Sequence, residues 1–240
     1  MSGNPIENPV ADDLAAALAE HGIALPDEQT ALLQRYCMLL WEWNAKINLT
    51  RHTDYRKFVA RDLVDSLAFA KFLQPGERIL DVGTGGGVPG IPLAVLRPDL
   101  SVSLSESVGK KARAVADMVD RLGLAVPVYE ARAEDLLGSW QCNTLVARAV
   151  ARLAKLLRWL RPHWNSFDRL LILKGPAWVE ERGEARHLGL LRDLALRKLA
   201  SYPLPGTDSE SVLLQICRKD KMLDRSRCRI TSFEEDRPDR

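Results

Sequence analysis

The chain has 240 residues, 46% of them hydrophobic and 28% charged, with four cysteines and a formal net charge of +2. That length and apolar content suit one domain with a modest extension and a core that needs no covalent staples. Cys37, Cys142, Cys217 and Cys228 are scattered, with no CxxC pair and no histidine at metal-ligand spacing, which argues against a disulfide framework or a zinc site.

Met1 to Val10 lacks a basic start and an apolar stretch, and no apolar run approaches the roughly 20 residues of a bilayer span, so a cytoplasmic, membrane-free chain is expected. Leu14, Ala17 and Leu18, then Leu32, Leu33, Tyr36, Leu39, Leu40 and Trp43, recur at three- and four-residue steps and predict two amphipathic helices. Pro26-Asp27-Glu28 starts the second. Residues 44–53 are polar and break the pattern, and a further helix is predicted over about 54–73, ended by Gln74-Pro75-Gly76. At Arg78–Val82 the period changes to a short apolar run stopped by glycines, as in a buried parallel strand. Further strands are expected at 101–105, 126–130, 144–148, 169–174, 194–202 and 211–218, with helices at 91–96, 110–122, 153–160 and 177–187. Alternating β and α units imply a mostly parallel α/β sheet covered on both faces. The last two strands are joined only through Pro203-Leu204-Pro205-Gly206, which predicts an antiparallel hairpin at the sheet edge. The chain thus divides into a helical N-terminal extension (1–75), an α/β core (76–218) and a charged tail (219–240) expected to be disordered.

The loop Asp81-Val82-Gly83-Thr84-Gly85-Gly86-Gly87 follows the first strand and precedes a helix. Such loops bring backbone N–H groups close to a ligand. Val88 stands where a dinucleotide fingerprint has glycine or alanine, and Asp81 sets a carboxylate where a pyrophosphate gains nothing from it. A cationic, phosphate-free cofactor such as S-adenosylmethionine fits better. Glu106, 23 residues after Gly83 at the end of the second strand, suits both ribose hydroxyls. Ala133-Glu134-Asp135, after the third strand, sits where an adenine edge would lie, or is simply the acidic first turn of a helix.

The sequence resembles the bacterial glucose-inhibited division protein B methyltransferases over about residues 39–174. Trp43-Asn44-Ala45-Lys46-Ile47-Asn48-Leu49-Thr50, Asp65-Ser66-Leu67-Ala68 and Ile79 through Pro92 carry the resemblance, followed in the same order by Ser107–Lys111, Arg148-Ala149 and Leu173-Lys174-Gly175. It implies a Rossmann-like class I S-adenosylmethionine-dependent methyltransferase with a seven-stranded sheet, acting on guanine N7 in the 530-loop region of 16S rRNA. The same resemblance implies cofactor contacts at Gly83, Val88, Ala133, Glu134 and Arg148, beside Asp81, Gly85, Gly87 and Glu106 from the loop pattern. Two positions depart from it: Glu106 replaces the usual aspartate, and Asp62 follows Arg61 where the family has histidine.

Guanine N7 carries a lone pair and no proton, so no general base is required and none is assigned; His21, His52, His163 and His187 lie in unrelated contexts. No metal is implied. The partner is 16S rRNA or the small ribosomal subunit, met by a chain acting as a monomer. Candidate RNA contacts are Arg51 and Arg61, then Arg152 and Lys155 in a basic series from Arg148 to Arg161 with Trp159 and Trp164 among them, and Lys174 at the end of the fifth strand. Residues 76–218 carry net +4, a mild bias only. The competing readings are a methyltransferase of another RNA, a protein or a small molecule, and a non-catalytic RNA-binding module. A nicotinamide-dependent oxidoreductase is disfavoured by Val88.

Overall fold

The computed structural model describes residues 13–204 and 209–221. In chain order the elements are α1 (Leu14–Glu20), α2 (Asp27–Asn44), α3 (Tyr55–Lys57), a π-helical turn (Phe58–Leu63), α4 (Val64–Ala70), β1 (Arg78–Val82), α5 (Gly90–Leu96), β2 (Ser101–Ser105), α6 (Gly109–Leu122), β3 (Val128–Tyr129), α7 (Ala133–Leu137), β4 (Thr144–Arg148), α8 (Leu153–Leu160), β5 (Arg169–Lys174), α9 (Trp178–His187), β6 (Leu194–Pro203) and β7 (Glu210–Arg218). The sheet order is β3-β2-β1-β4-β5-β7-β6. The first five of these strands run parallel, and β7 pairs antiparallel with both β5 and β6. This is the mostly parallel, seven-stranded sheet with an antiparallel end expected from the alternation.

Strand pleating divides the core in two. Ile79, Val146, Leu171 and Leu213 point to the face covered by α1, α2, α4, α5 and α6. Leu80, Val82, Leu145, Ala147, Leu170, Ile172 and Leu214 point to the opposite face, under α7, α8 and Ala185 of α9. Successive side chains of a strand face opposite ways, so strands buried on both sides are mostly apolar, with Asp81, Thr144, Arg169 and Gln215 as buried polar exceptions that are hydrogen-bonded. The N-terminal helices share the first core with the sheet: Leu14, Leu33, Tyr36, Phe58 and Leu63 lie in one cluster with Ile79 and Val146.

Three local expectations change. The helix predicted over 54–73 is broken into α3, a π turn and α4. The third strand shrinks to Val128–Tyr129, followed by α7, whose first turn holds the acidic pair Glu134-Asp135 as one of the two readings had it. The tail does not leave the body at 219: Lys219 Nζ donates to the Arg192 carbonyl at 2.6 Å and Lys221 Nζ meets Asp168 at 2.7 Å. Residues 222–240, with Cys228 and most of the expected disordered tail, lie outside the described residues, as does the connection 205–208. Among the described residues no helix is long and apolar enough to cross a membrane.

Candidate donor site at the switch point of the sheet

The chain winds from β1 outward through β2 and β3, then returns to place β4 on the other side of β1. Between the carboxyl ends of β1 and β4 such a reversal leaves a crevice, the usual ligand position in open α/β sheets. Here it is a cleft of about 650 Å³ lined by the glycine loop, the ends of β2 and β4 and the start of α7.

The loop is held from below. Thr84 N–H donates to the Ser105 carbonyl at 2.9 Å, tying it to β2. Asp81 is 1% exposed, and its Oδ2 accepts from Thr84 Oγ1 at 2.6 Å and from the Gly90 amide at 2.9 Å. Burial pushes its carboxyl up to about 6, against those two hydrogen bonds. Gly90 permits this closeness: a Cβ there would lie 2.1 Å from Leu104 Cδ2 and 2.8 Å from Asp81 Oδ2. Helix α5 therefore approaches β1 and β2 as only a glycine allows.

Above the loop, Glu106 carries the site. It is 6% exposed; Oε2 accepts from the Gly85 amide at 3.0 Å and Oε1 from the Val108 amide at 2.8 Å. Each carboxylate oxygen keeps a further lone pair, enough for two vicinal hydroxyls. The Gly85 amide, which a pyrophosphate would need, is already committed to a carboxylate. This arrangement suits a ribose on a phosphate-free linkage and repels a phosphate. Gly85 has φ +62°, and its missing Cβ faces space with no atom nearer than the Gly83 carbonyl oxygen at 4.0 Å, so the loop leaves room for a ligand.

At the other end, Arg148 closes β4. Its guanidinium lies 2.6 Å from Asp62 and 3.1 Å from Asp65, both buried. Tyr202 donates its hydroxyl proton to Asp65 at 2.6 Å, and His52 Nδ1 lies 2.9 Å from Asp62. The two aspartates hold Arg148 charged, raising its pKa against the opposing effect of burial. The π turn sets Asp62 on the inner side within reach of the same guanidinium as Asp65; such turns recur at functional sites. The next residue, Ala149, has φ +53° and lines the cleft, a strained conformation for a residue with a β-carbon.

Of the cofactor contacts expected from sequence, Gly83, Gly85, Val88, Glu106, Ala133, Glu134 and Arg148 line this one cleft. Asp81 and Gly87 do not. The Asp81 carboxylate is turned beneath the loop as its support, and Gly87 packs against Ile91 and Tyr36. Among the expected RNA contacts only Lys155 lines the cleft, its ammonium 5.1 Å from the Trp159 ring. Lys174 is corrected outright: its Nζ donates to the Ala151 carbonyl at 2.6 Å and pairs with Glu181 at 2.7 Å, with the side chain 9% exposed. It ties the loop after β4 to α9. Arg152 pairs with Glu180 and Glu184 at 3.3 and 3.1 Å, away from the cleft. Arg51 is exposed and Arg61 half-buried, neither on the cleft wall. Trp164 is buried against Phe167, which removes it as a stacking surface.

The cleft also takes residues that sequence reasoning assigned no role: Leu40, Leu49 and Thr50 from the extension, and Lys111, Arg132 and Val150. Two aspartates three apart, Asp62 and Asp65, on the helical face that carries Val59 and Phe69 into the core, were a usable signal for a buried cation partner.

Residues 29–198 match the family GidB, described as rRNA small subunit methyltransferase G. The chain is 54% identical over 198 residues to the ribosomal RNA small subunit methyltransferase G of Rhodopirellula baltica, covering 82% of this chain and 86% of that one. It is 39% identical over 218 residues to the protein of the same name from Stenotrophomonas maltophilia K279a, covering 88% and 98%. Among solved structures, TrmK of M. capricolum in complex with S-adenosyl-homocysteine shares the fold at TM-score 0.50 and 12% identity, over 65% of this chain and 68% of that one. The chain therefore belongs to the GidB family of rRNA small subunit methyltransferases.

Proposed function

We propose that this chain methylates N7 of a guanine in the 530-loop region of 16S rRNA, presented as RNA or as the small ribosomal subunit. The observation that carries the reading is the state of the buried carboxylate of the cleft, Glu106, each of whose oxygens accepts one backbone amide and keeps a lone pair for a ribose hydroxyl. At the far end the carboxylates of Asp62 and Asp65 are paired with Arg148, so the cleft offers grip and orientation. Guanine N7 has no proton to give up, so the two match.

When bound, S-adenosylmethionine supplies an electrophilic methyl group on a cationic sulfur. In this reading Glu106 accepts the ribose hydroxyls, Ala133 and Glu134 meet the base edge, and Gly83, Gly85 and Val88 line the path between. Arg148, pinned by Asp62 and Asp65, fixes the end of β4 where the two substrates meet. The enzyme's work is then alignment, bringing nucleophile and methyl carbon to about 3–3.5 Å in line. Lys155 and Trp159 on one rim, with Lys111 and Arg132 on the other, supply cations and a ring face for phosphate and base. Arg51 and Arg61 extend that surface outward. A-form RNA hides N7 in a deep, narrow groove, which favours a guanine in a loop. In this reading the chain acts as a monomer, and the substrate places the enzyme in the cytoplasm.

The test is transfer from isotope-labelled S-adenosylmethionine to small subunits lacking modifications, followed by RNA digestion and nucleoside identification. Label in 7-methylguanosine mapping to the 530-loop is the expected result. Label in another nucleoside or position, or none despite donor binding, overturns the assignment.

A further inference from the structure

The outer side of the glycine loop is built by the helical extension. Tyr36 of α2, fully buried, donates its hydroxyl proton to the Gly86 carbonyl at 2.8 Å. A Cβ on Gly86 would meet Leu40 Cδ1 at 3.0 Å and the Leu49 carbonyl oxygen at 3.5 Å, so extension and loop are in direct contact. Leu49 and Thr50 follow the C-terminus of α2 by five and six residues and form part of the cleft wall. What turns the chain back to that wall is Asn44, the last residue of α2. Its Oδ1 accepts from two successive amides, Leu49 N at 2.8 Å and Thr50 N at 2.9 Å. Thr50 Oγ1 then accepts from the His52 amide at 3.0 Å, and His52 meets Asp62, which holds Arg148. One carboxamide oxygen is therefore the anchor for a wall that touches the loop at Gly86 and leads on to the end of β4.

From this we infer that Asn44 is a positioning residue of the donor cleft, holding Leu49 and Thr50 against the glycine loop without touching either substrate. The inference rests on the cleft being the donor site. Two part-buried amides lose their acceptor if Asn44 becomes alanine. Aspartate, with acceptor oxygens of the same reach, keeps them satisfied.

The experiment compares Asn44→Ala, Asn44→Asp and the unaltered chain. Donor affinity is measured by calorimetry with S-adenosyl-homocysteine and no RNA, and amide exchange at 49 and 50 is followed in the ligand-free chain. Asn44→Ala is expected to weaken binding about tenfold and to speed exchange at both amides, with kcat at saturating donor and the KM for RNA within about twofold. Asn44→Asp should restore affinity and protection. Unchanged affinity in Asn44→Ala, an Asn44→Asp no better than alanine, or a shift in the KM for RNA in place of donor affinity overturns the inference. Should Asn44→Ala not fold, Asn44→Ser keeps a polar side chain whose oxygen is one bond too short to meet both amides; it must weaken the donor severalfold, and unaltered affinity overturns the inference equally. Absence of donor binding by the unaltered chain refutes the donor reading itself. A wrong RNA assignment leaves the affinity result standing.

Discussion

Replacing Glu106 by glutamine changes one oxygen to NH₂ and removes the charge at constant shape. In the structure both carboxylate oxygens accept a backbone N–H, from Gly85 and from Val108. A carboxamide has one acceptor oxygen, so whichever way it turns, one of those amides faces an NH₂ donor. An amide left unsatisfied in a buried setting costs about 1–3 kcal/mol. For the donor the loss is larger, because one ribose hydroxyl now meets a donor and the other a neutral acceptor in place of an anion. A hydrogen bond to a charged group contributes about 1.5–3 kcal/mol, so a loss of about 3 kcal/mol, roughly 100-fold in Kd, follows. The free protein should lose a few degrees in Tm, at about 2–4 °C per kcal/mol for a domain of this size. Calorimetry with S-adenosyl-homocysteine and thermal unfolding read both numbers. An affinity within threefold of the unaltered chain would refute the assignment of Glu106 to the ribose.

Three further outcomes are expected. Gly85→Asp points its side chain into open cleft and costs only about 1–2 kcal/mol for its left-handed backbone, yet abolishes donor binding, whereas Gly90→Ala drives a Cβ to 2.1 Å from Leu104 and should lower Tm with little protein left folded; the reverse pattern in binding and melting assays would contradict the two roles. Arg148→Met strands Asp62 and Asp65 without their cation, a loss of about 3–5 kcal/mol and roughly 10 °C in Tm, partly recovered when both aspartates become asparagine; a melting shift below about 2 °C would sink the network. Asp81, whose carboxyl burial raises from 3.8 to about 6, binds its proton more tightly folded than unfolded. Its stabilising contribution is therefore complete below pH 3.8 and lost as the pH rises through 6, a swing of about 3 kcal/mol. The stability difference between Asp81→Asn and the unaltered chain should thus move in favour of asparagine between pH 4 and pH 7, and a flat difference in denaturant titrations would refute the raised pKa.

Much of this protein is determined by local pattern. Short, mostly apolar runs at 79–82, 144–147 and 169–173 read as buried strands because turn residues bound them at strand length, and the glycine loop that follows Arg78–Val82 suits a β-to-α turn. Glu106 was legible because spacing along a βα unit fixes which strand end it occupies. The helices of the extension followed from their three- and four-residue stripes. What the sequence could not decide was where long side chains spend their hydrogen bonds, since that depends on partners far away in the chain. Lys174 looks like a substrate contact at a strand end until Glu181 and the Ala151 carbonyl are beside it. Arg148 lines the cleft, but its guanidinium belongs to aspartates 86 and 83 residues earlier, one of them set in place by a π turn that no periodicity announces. Asp81 has the spacing of a ligand contact; only the approach of α5 at Gly90, permitted by a missing β-carbon, turns its carboxylate under the loop. The part of the cleft wall formed by residues 40, 49 and 50 is likewise a tertiary product, because an extension with its own helical pattern carries no local mark of the surface it will complete.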